Sequence, residues 1–456
     1  MFVNHMAGPR LDALPKLTRF HYQLIPVLIL GYWFEFADVA SLGLVMPIIA
    51  SKMGLNSEMM GIALAAVSWG MIVGAYTGGL IADIFGRRRV FVWALVFYSV
   101  FTFFIPFTTN LLQLILVRII AGWGTGAMTD SITTYITEYF PSRMRGKMTA
   151  LIFGLGAGLG SGLGSTIIYR TLGTSLGWEW LFYFLGCGGI AVYILYILYL
   201  PESARWLQVK GRWDDAERIL VRIENQIPPM MRDQYLQNLT FYVSRIEKTD
   251  IKGEKLGIRD ILGRDYIKRT MVLWQYFFLS MGTSWPLNMW IPVIMISSFG
   301  EDLGSLVVLT ISFGFFLGNM LVVPISERFG RKNILVFGLS FSGVIIIVFG
   351  QIMSFALLAA VVGMLYQIGV GLYASQGYTY AQELFPTRAR ATAFASGTGI
   401  GRIGMSIFPI IFGLLLSHVG ASWIMTLSGM IILVNASIIG IFGISTKGKT
   451  LEELSK

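Results

Sequence analysis

Two short charged passages recur 244–245 residues apart, each wedged between long apolar runs. Asp83-Ile84-Phe85-Gly86-Arg87-Arg88 returns as Glu327-Arg328-Phe329-Gly330-Arg331-Lys332. Glu138-Tyr139-Phe140-Pro141-Ser142-Arg143 returns as Glu383-Leu384-Phe385-Pro386-Thr387-Arg388. The chain therefore reads as two copies of one unit, and two copies of one membrane bundle leave a natural cleft between them.

The solvent of that unit is lipid. Of 456 residues, 55% are hydrophobic and 13% charged, more apolar surface than a water-soluble fold can bury. About 20 apolar residues cross roughly 30 Å of hydrocarbon. Twelve runs qualify: 24–50, 59–82, 90–109, 112–139, 147–172, 180–200, 269–296, 303–326, 333–354, 356–382, 391–416 and 421–443. An even number of spans puts both termini on one side.

Charge predicts which side. With the termini and residues 201–268 in the cytoplasm, Lys52 and Arg170 are the only basic residues in external loops, and Arg118 and Arg402 lie inside spans. The other 31 of 35 Lys and Arg fall on the cytoplasmic side, while external loops carry Glu58, Glu179, Glu301 and Asp302. That is the positive-inside pattern. It also accounts for the net charge of +10 without nucleic acid, because the bases are spread among short loops and not gathered on one face. The first apolar run is too long for a cleavable signal peptide. Cys187 stands alone in span 6, and His5, His21 and His418 are too scattered for a metal set. The expected product is a multi-pass protein of the cell membrane, with neither metal nor cofactor.

The domain organisation is then 1–200, a first six-span bundle; 201–268, a polar linker; and 269–456, a second bundle with its tail. Within the linker, Asp214 to Asn225 has Ala216, Ile219, Leu220 and Ile223 on one stripe, the pattern of a short amphipathic helix. A solvated tether is the alternative. In span 5, Gly154, Gly158 and Gly162 fall four apart, as do Gly156, Gly160 and Gly164, giving two small-residue faces for close helix packing. A phosphate-cradling loop would need a preceding strand, and none is predicted.

These passages resemble a known family. Gly79 to Arg88 is similar to the signature loop between spans 2 and 3 of the major facilitator superfamily, and Arg118 with Gly122, Gly124 and Gly126 resembles its span-4 motif. Glu138 to Gly146 and Pro201-Glu202-Ser203-Ala204-Arg205-Trp206-Leu207 resemble the sugar-porter and metabolite:proton symporter branch, as does the tail Thr446 to Glu453, although Ile444-Ser445 replaces its Pro-Glu. Glu35-Phe36-Ala37-Asp38, with Gly43 and Pro47, looks like the acidic pair in span 1 of aromatic-acid:proton symporters, with Glu35 and Phe36 as departures. Glu383 to Arg388, then Gly401-Arg402-Ile403-Gly404, resembles span 11 in carriers of aromatic and nicotinate-like acids. Gln275 is a single glutamine where sugar porters show a pair. The resemblance implies an all-α membrane protein, twelve transmembrane helices in two pseudo-symmetric six-helix bundles, acting as a monomer on a small molecule and protons.

A charge at mid-bilayer costs about 2.5–3.5 kcal/mol on insertion scales, so it faces a partner or a wet cavity. Five are present: Glu35 and Asp38 in span 1, Arg118 and Asp130 in span 4, and Arg402 in span 11. Glu35 and Asp38 share a helix face, and two carboxylates in low dielectric compete for ionisation, so one can hold a proton near neutral pH. Together with Arg118 they are the expected proton-coupling residues. Arg118 and Asp130 are about 18 Å of helical rise apart, so Arg118 needs a partner from another span or backbone carbonyls. Arg402 has no counterpart in the first half, where the repeat places Ala157. A guanidinium present in one copy suits a carboxylate substrate held bidentately, the alternative being a structural pair with Asp130.

Expected to line the pocket with Arg402 and Asp130 are Gln275, Trp285 and Asn288 of span 7 and Tyr373, Gln376 and Tyr380 of span 10, with Pro286 and Pro292 bending span 7. Asp83, Arg87, Glu138, Arg143, Glu327, Arg331, Glu383 and Arg388 are expected to form cytoplasmic ion pairs that shut that side in the outward-open state, or else to serve only as topology-setting charges. The function expected is proton-coupled symport of a small, aromatic or nicotinate-like organic acid. Carriage of a sugar, an organic cation or a drug is the alternative. An enzyme is disfavoured because the chain has no nucleophile–base set, and a sensor because it has no appended domain.

Overall fold

The computed structural model describes residues 6–249, 257–264, 266–385 and 387–445; the tail Thr446 to Glu453 lies outside them, as do the side chains of Asp130, Glu327 and Arg388. The chain is almost wholly helical. The first half holds α1 (Arg19–Met53), α2 (Ser57–Phe85), α3 (Arg87–Phe104), α4 (Leu111–Tyr139), α5 (Ser142–Leu159, continuing irregularly to 176) and α6 (Glu179–Tyr199). In the second half the stretch Ile267–Phe329 is helical throughout except at Gly300, whose φ of 76° and ψ of 175° divide it into α7 (267–299) and α8 (301–329). Then follow α9 (Arg331–Ile352), α10 (Ala356–Glu383), α11 (Thr387–Val419) and α12 (Ala421–Phe442). Twelve helices long enough to span result, arranged as two six-helix bundles. Helices of 29–35 residues, such as α1, α2, α4 and α11, exceed the roughly 20 that a bilayer needs and so must tilt or protrude.

The repeated loops fold alike. Gly86 (φ 105°) and Gly330 (φ 82°) both occupy the positive-φ region, and an added Cβ at Gly86 would also strike the Glu202 carboxylate. Beyond each glycine a cation reaches the end of the last helix of its half. Arg88 Nη2 donates to the Ile197 carbonyl (2.6 Å), and Lys332 Nζ donates to those of Gly440 (2.9 Å) and Gly443 (2.7 Å). Cations there complement the negative end of a helix dipole.

The two glycine faces of α5 have different partners. Gly156 and Gly160 press on Tyr32 and Trp33 of α1 within the first half, whereas Gly158 and Gly162 face Phe316 and Ser312 of α8 in the second. Small-residue packing is thus the role of this run. Between Leu159 and Ser165 the helix is broken: Ser161 has ψ 130° and Gly162 has φ 51°.

Glycines bring the backbones of the halves close toward the face opposite the termini, here the far face. Gly61 of α2 abuts the Pro409 carbonyl of α11, Gly413 abuts Ser57, and Gly43 of α1 abuts Met289 of α7. The halves are drawn together on that side.

On the terminal face the linker forms helices Ala204–Val209, Trp213–Glu224 and Arg232–Thr249. Trp213–Glu224 buries Ala216, Leu220 and Ile223. A short N-terminal helix, Ala7–Asp12, is clamped to it, with the buried Arg10 bonding both Glu217 (2.5 Å) and Glu224 (2.7 Å).

Candidate functional site: buried charges between two helical halves

Asp38 and Arg118 are fully buried and meet: Arg118 Nη1 donates to Asp38 Oδ2 at 3.0 Å. The second carboxylate oxygen accepts from Thr102 Oγ1 of α3, also at 3.0 Å. Three helices thus converge on one carboxylate. The partner that Arg118 requires is Asp38, 80 residues away along the chain. Arg118 Nε and Nη2 make no hydrogen bond among the described residues. Protonating Asp38 would strip this guanidinium of its counter-charge, so the charge on Asp38 and the α1–α4 packing are linked.

Glu35, one turn earlier on α1, is also buried and accepts from Thr129 Oγ1 of α4. The two acids expected to act as a pair share α1 and α4 but are held by separate donors. Tyr98 of α3 bonds the Phe34 carbonyl (2.9 Å), fixing the backbone just before Glu35.

Arg402 lies midway along α11 and is about nine-tenths buried, its carbonyl accepting from Ser406 (2.9 Å). Trp285 of α7 meets Phe36 of α1 across the interface, ring centroids 6.0 Å apart. Asn288 Oδ1 accepts from Gln367 Nε2 of α10 (2.5 Å). Both amides border a narrow cavity of about 20 Å³ between the halves, with Ala40, Ser161, Gly162 and Ser312. Gln376 and Tyr373 are buried in α10. Two further expected liners make bonds within the second half. Gln275 Nε2 bonds Asn435 of α12 (3.0 Å), and Tyr380 donates to the Ile444 carbonyl after α12 (2.9 Å). In each case an amide or hydroxyl inside an apolar bundle finds a partner on its nearest neighbour.

Among the loop charges, Arg87 pairs with Asp83 (2.7 Å) and Glu138 (3.4 Å), and Arg331 pairs with Glu383 (3.1 Å). Each set lies inside one half. Arg143 bonds the carbonyls of Leu14 and Pro15, securing the N-terminal segment. Nearby, Glu202 caps the loop by accepting from the backbone of Arg88 (3.1 Å) and Ser203 (3.0 Å). Burial raises its carboxyl above the ordinary glutamate range, the N–H donors pulling partly back.

Thr102 and Gln367 are absent from the expected residues. A threonine in an apolar span has no signature, but Gln367 is an amide inside span 10 and could have been noted as Gln376 was. No cluster of three or more His, Cys, Asp or Glu that could hold a metal occurs among the described residues.

Two six-helix halves around buried charges define a secondary transporter of the major facilitator fold, a multi-pass membrane protein that carries a small molecule and is not an enzyme. The chain belongs to the sugar (and other) transporter family, whose pattern matches residues 37–456. It is 30% identical over 428 residues to the 4-hydroxybenzoate transporter PcaK of Acinetobacter baylyi, covering 93% of this chain and 91% of that one. It is 26% identical over 459 residues to the niacin transporter NiaP of the same organism, covering 98% of each. Among solved structures, the xylose transporter XylE of E. coli in a partially occluded inward-open conformation superimposes with a TM-score of 0.76 at 18% identity, over 94% of this chain and 99% of that one.

Proposed function

We propose that the protein is a proton-coupled symporter of a small organic acid, aromatic or nicotinate-like, working as a monomer in the cell membrane with both termini in the cytoplasm. The observation that carries this reading is the fully buried Asp38, held by Arg118 and Thr102, with a second buried arginine inside a span, Arg402, in the other half. Two relatives are named for 4-hydroxybenzoate and niacin, both aromatic rings bearing a carboxylate, which supports the acid. The basic residues of the loops favour the cytoplasmic placement of the terminal face.

In the cycle, Asp38 takes a proton from outside, with Glu35 and Arg118 setting the charge around it. Arg402 holds the substrate carboxylate, with Asp130, Gln275, Trp285, Asn288, Tyr373 and Gln376 shaping the rest of the site. The halves then rock, and proton and acid leave on the other side. Ion pairs at Asp83, Arg87, Glu138, Glu327, Arg331, Glu383 and Arg388 brace each half at the cytoplasmic mouth, and Arg143 anchors the N-terminal segment beside them. One monovalent anion with one proton moves no net charge, so a pH gradient or a second proton drives uptake; membrane potential, about 2.3 kcal/mol per charge per 100 mV, contributes only with the second proton.

The test is uptake of labelled benzoate- or nicotinate-type acids into proteoliposomes. An inward proton gradient is expected to accelerate uptake, and Arg402→Ala to raise KM at least 10-fold. Acid uptake that ignores the gradient would contradict symport. Uptake unchanged in Arg402→Ala would point instead to a sugar, cation or drug as cargo.

A further inference from the structure

The far end of α5 carries two polar residues that neither the shared fold nor the proton site uses. Tyr169 is fully buried, yet its hydroxyl donates to Glu301 Oε2 at 3.1 Å, and the neighbouring Arg170 Nη1 donates to the Asp302 carbonyl (2.6 Å) and to Ser305 Oγ (2.7 Å). Tyr169 and Arg170 belong to the first half. Residues 301–305 belong to the second, just past the Gly300 turn that separates α7 from α8. The contact therefore crosses the interface, on the face where glycines already bring the halves close. The repeat places Leu414 and Leu415 at the equivalent positions of the second half, so the shared bundle does not require these groups. Eight residues before Arg170, α5 is broken at Ser161–Gly162, and it is irregular again over Tyr169–Gly173.

We propose that the far third of α5 is a latch arm: Tyr169 and Arg170 clasp the 301–305 turn and hold the far face shut, and the break at Ser161–Gly162 is the joint on which the arm moves when the halves part. Charge-assisted donation from Arg170 to two acceptors makes the clasp strong and specific in direction. Because one acceptor is the Asp302 main-chain carbonyl, the Asp302 side chain is dispensable. Rocking to the far-face-open conformation breaks all three bonds and lets water reach them, which is the differential interaction a two-state carrier needs. The clasp operates whatever the cargo.

The test is a distance measurement on the full chain in lipid nanodiscs without substrate. With Cys187→Ser removing the native thiol, spin labels at Ser51→Cys and Ser354→Cys, exposed far-face positions in the two halves, report their separation by pulsed electron paramagnetic resonance. The parent is expected to show mainly the short distance. Arg170→Ala should raise the ratio of long to short about 10-fold, Ser305→Ala and Tyr169→Phe should raise it less, and Asp302→Ala should leave it unchanged. Distributions for Arg170→Ala, Ser305→Ala and Tyr169→Phe that all superimpose on the parent would overturn the latch. So would an Asp302→Ala protein that opens as far as Arg170→Ala, because general charge would then be the cause. If Arg170→Ala does not fold, Ser305→Ala and Tyr169→Phe, each lacking a single oxygen, decide the question by the same criterion.

Discussion

Asp38 is an acid placed where ionisation is tolerable only in company. Arg118 supplies the counter-charge and Thr102 the second donor, and all three side chains are fully buried. Removing one partner of such a pair strands the other, at a cost of about 3–5 kcal/mol. Arg118→Leu should therefore lower thermal stability in detergent strongly, and the double variant Asp38→Leu/Arg118→Leu should recover much of the loss. A double variant no more stable than Arg118→Leu alone would mean that the pair is not a unit. Both charges were legible in the sequence as ionisable groups inside apolar runs. Their pairing was not, because it spans 80 positions and depends on how α1 crosses α4. Thr102 was hidden altogether, since its hydroxyl is one of many in apolar helices that bond only their own backbone.

At the scale of the element, α5 packs within its own half on one face and across the interface on the other. A Cβ at Gly160 would come 2.3 Å from the Trp33 carbonyl within the first half, whereas one at Gly158 would lie 3.4 Å from a Phe316 ring carbon across the interface. Gly160→Val should fail to fold or lose most of its folded yield on size-exclusion chromatography. Gly158→Ala should fold normally and slow exchange transport several-fold, because the tightened contact lies where the halves slide; equal folded yields for the two variants would contradict this division. The four-residue glycine spacing made both faces readable. The break at Ser161–Gly162 was not, since glycine at 160, 162 and 164 is equally compatible with an unbroken helix. In the linker, the stripe of Ala216, Leu220 and Ile223 was readable, but its clamp was not: Arg10 reaches Glu217 and Glu224 from more than 200 residues away. Arg10→Ala should expose the linker to trypsin within minutes where the parent resists. Glu202 gives a pH dependence. Its carboxyl titrates higher folded than unfolded, so the folded chain holds the extra proton in between, and stability falls as pH rises through that window. Glu202→Gln should flatten this slope in thermal melts taken upward from the ordinary glutamate range.

Across the whole molecule, the duplicated loops disclosed two halves because both copies obey the same demands: a positive-φ glycine, a cation on a helix end, an acid beside an arginine. What differs between the copies is where buried charges and amides concentrate. The first half holds Glu35, Asp38 and Arg118, the second holds Arg402 with the amides of Asn288 and Gln367, and the far-face clasp joins the two. That contrast, buried carboxylates in one half and buried amides with an arginine in the other, emerges only when the helices are assembled. It implies that proton coupling and substrate exchange are separable. The most direct test is Asp38→Asn in proteoliposomes, measured two ways with the same labelled aromatic acid. Exchange against internal unlabelled acid should persist within about 5-fold of the parent, while accumulation driven by an inward proton gradient falls to background. Gradient-driven accumulation equal to the parent's would contradict the account at its centre.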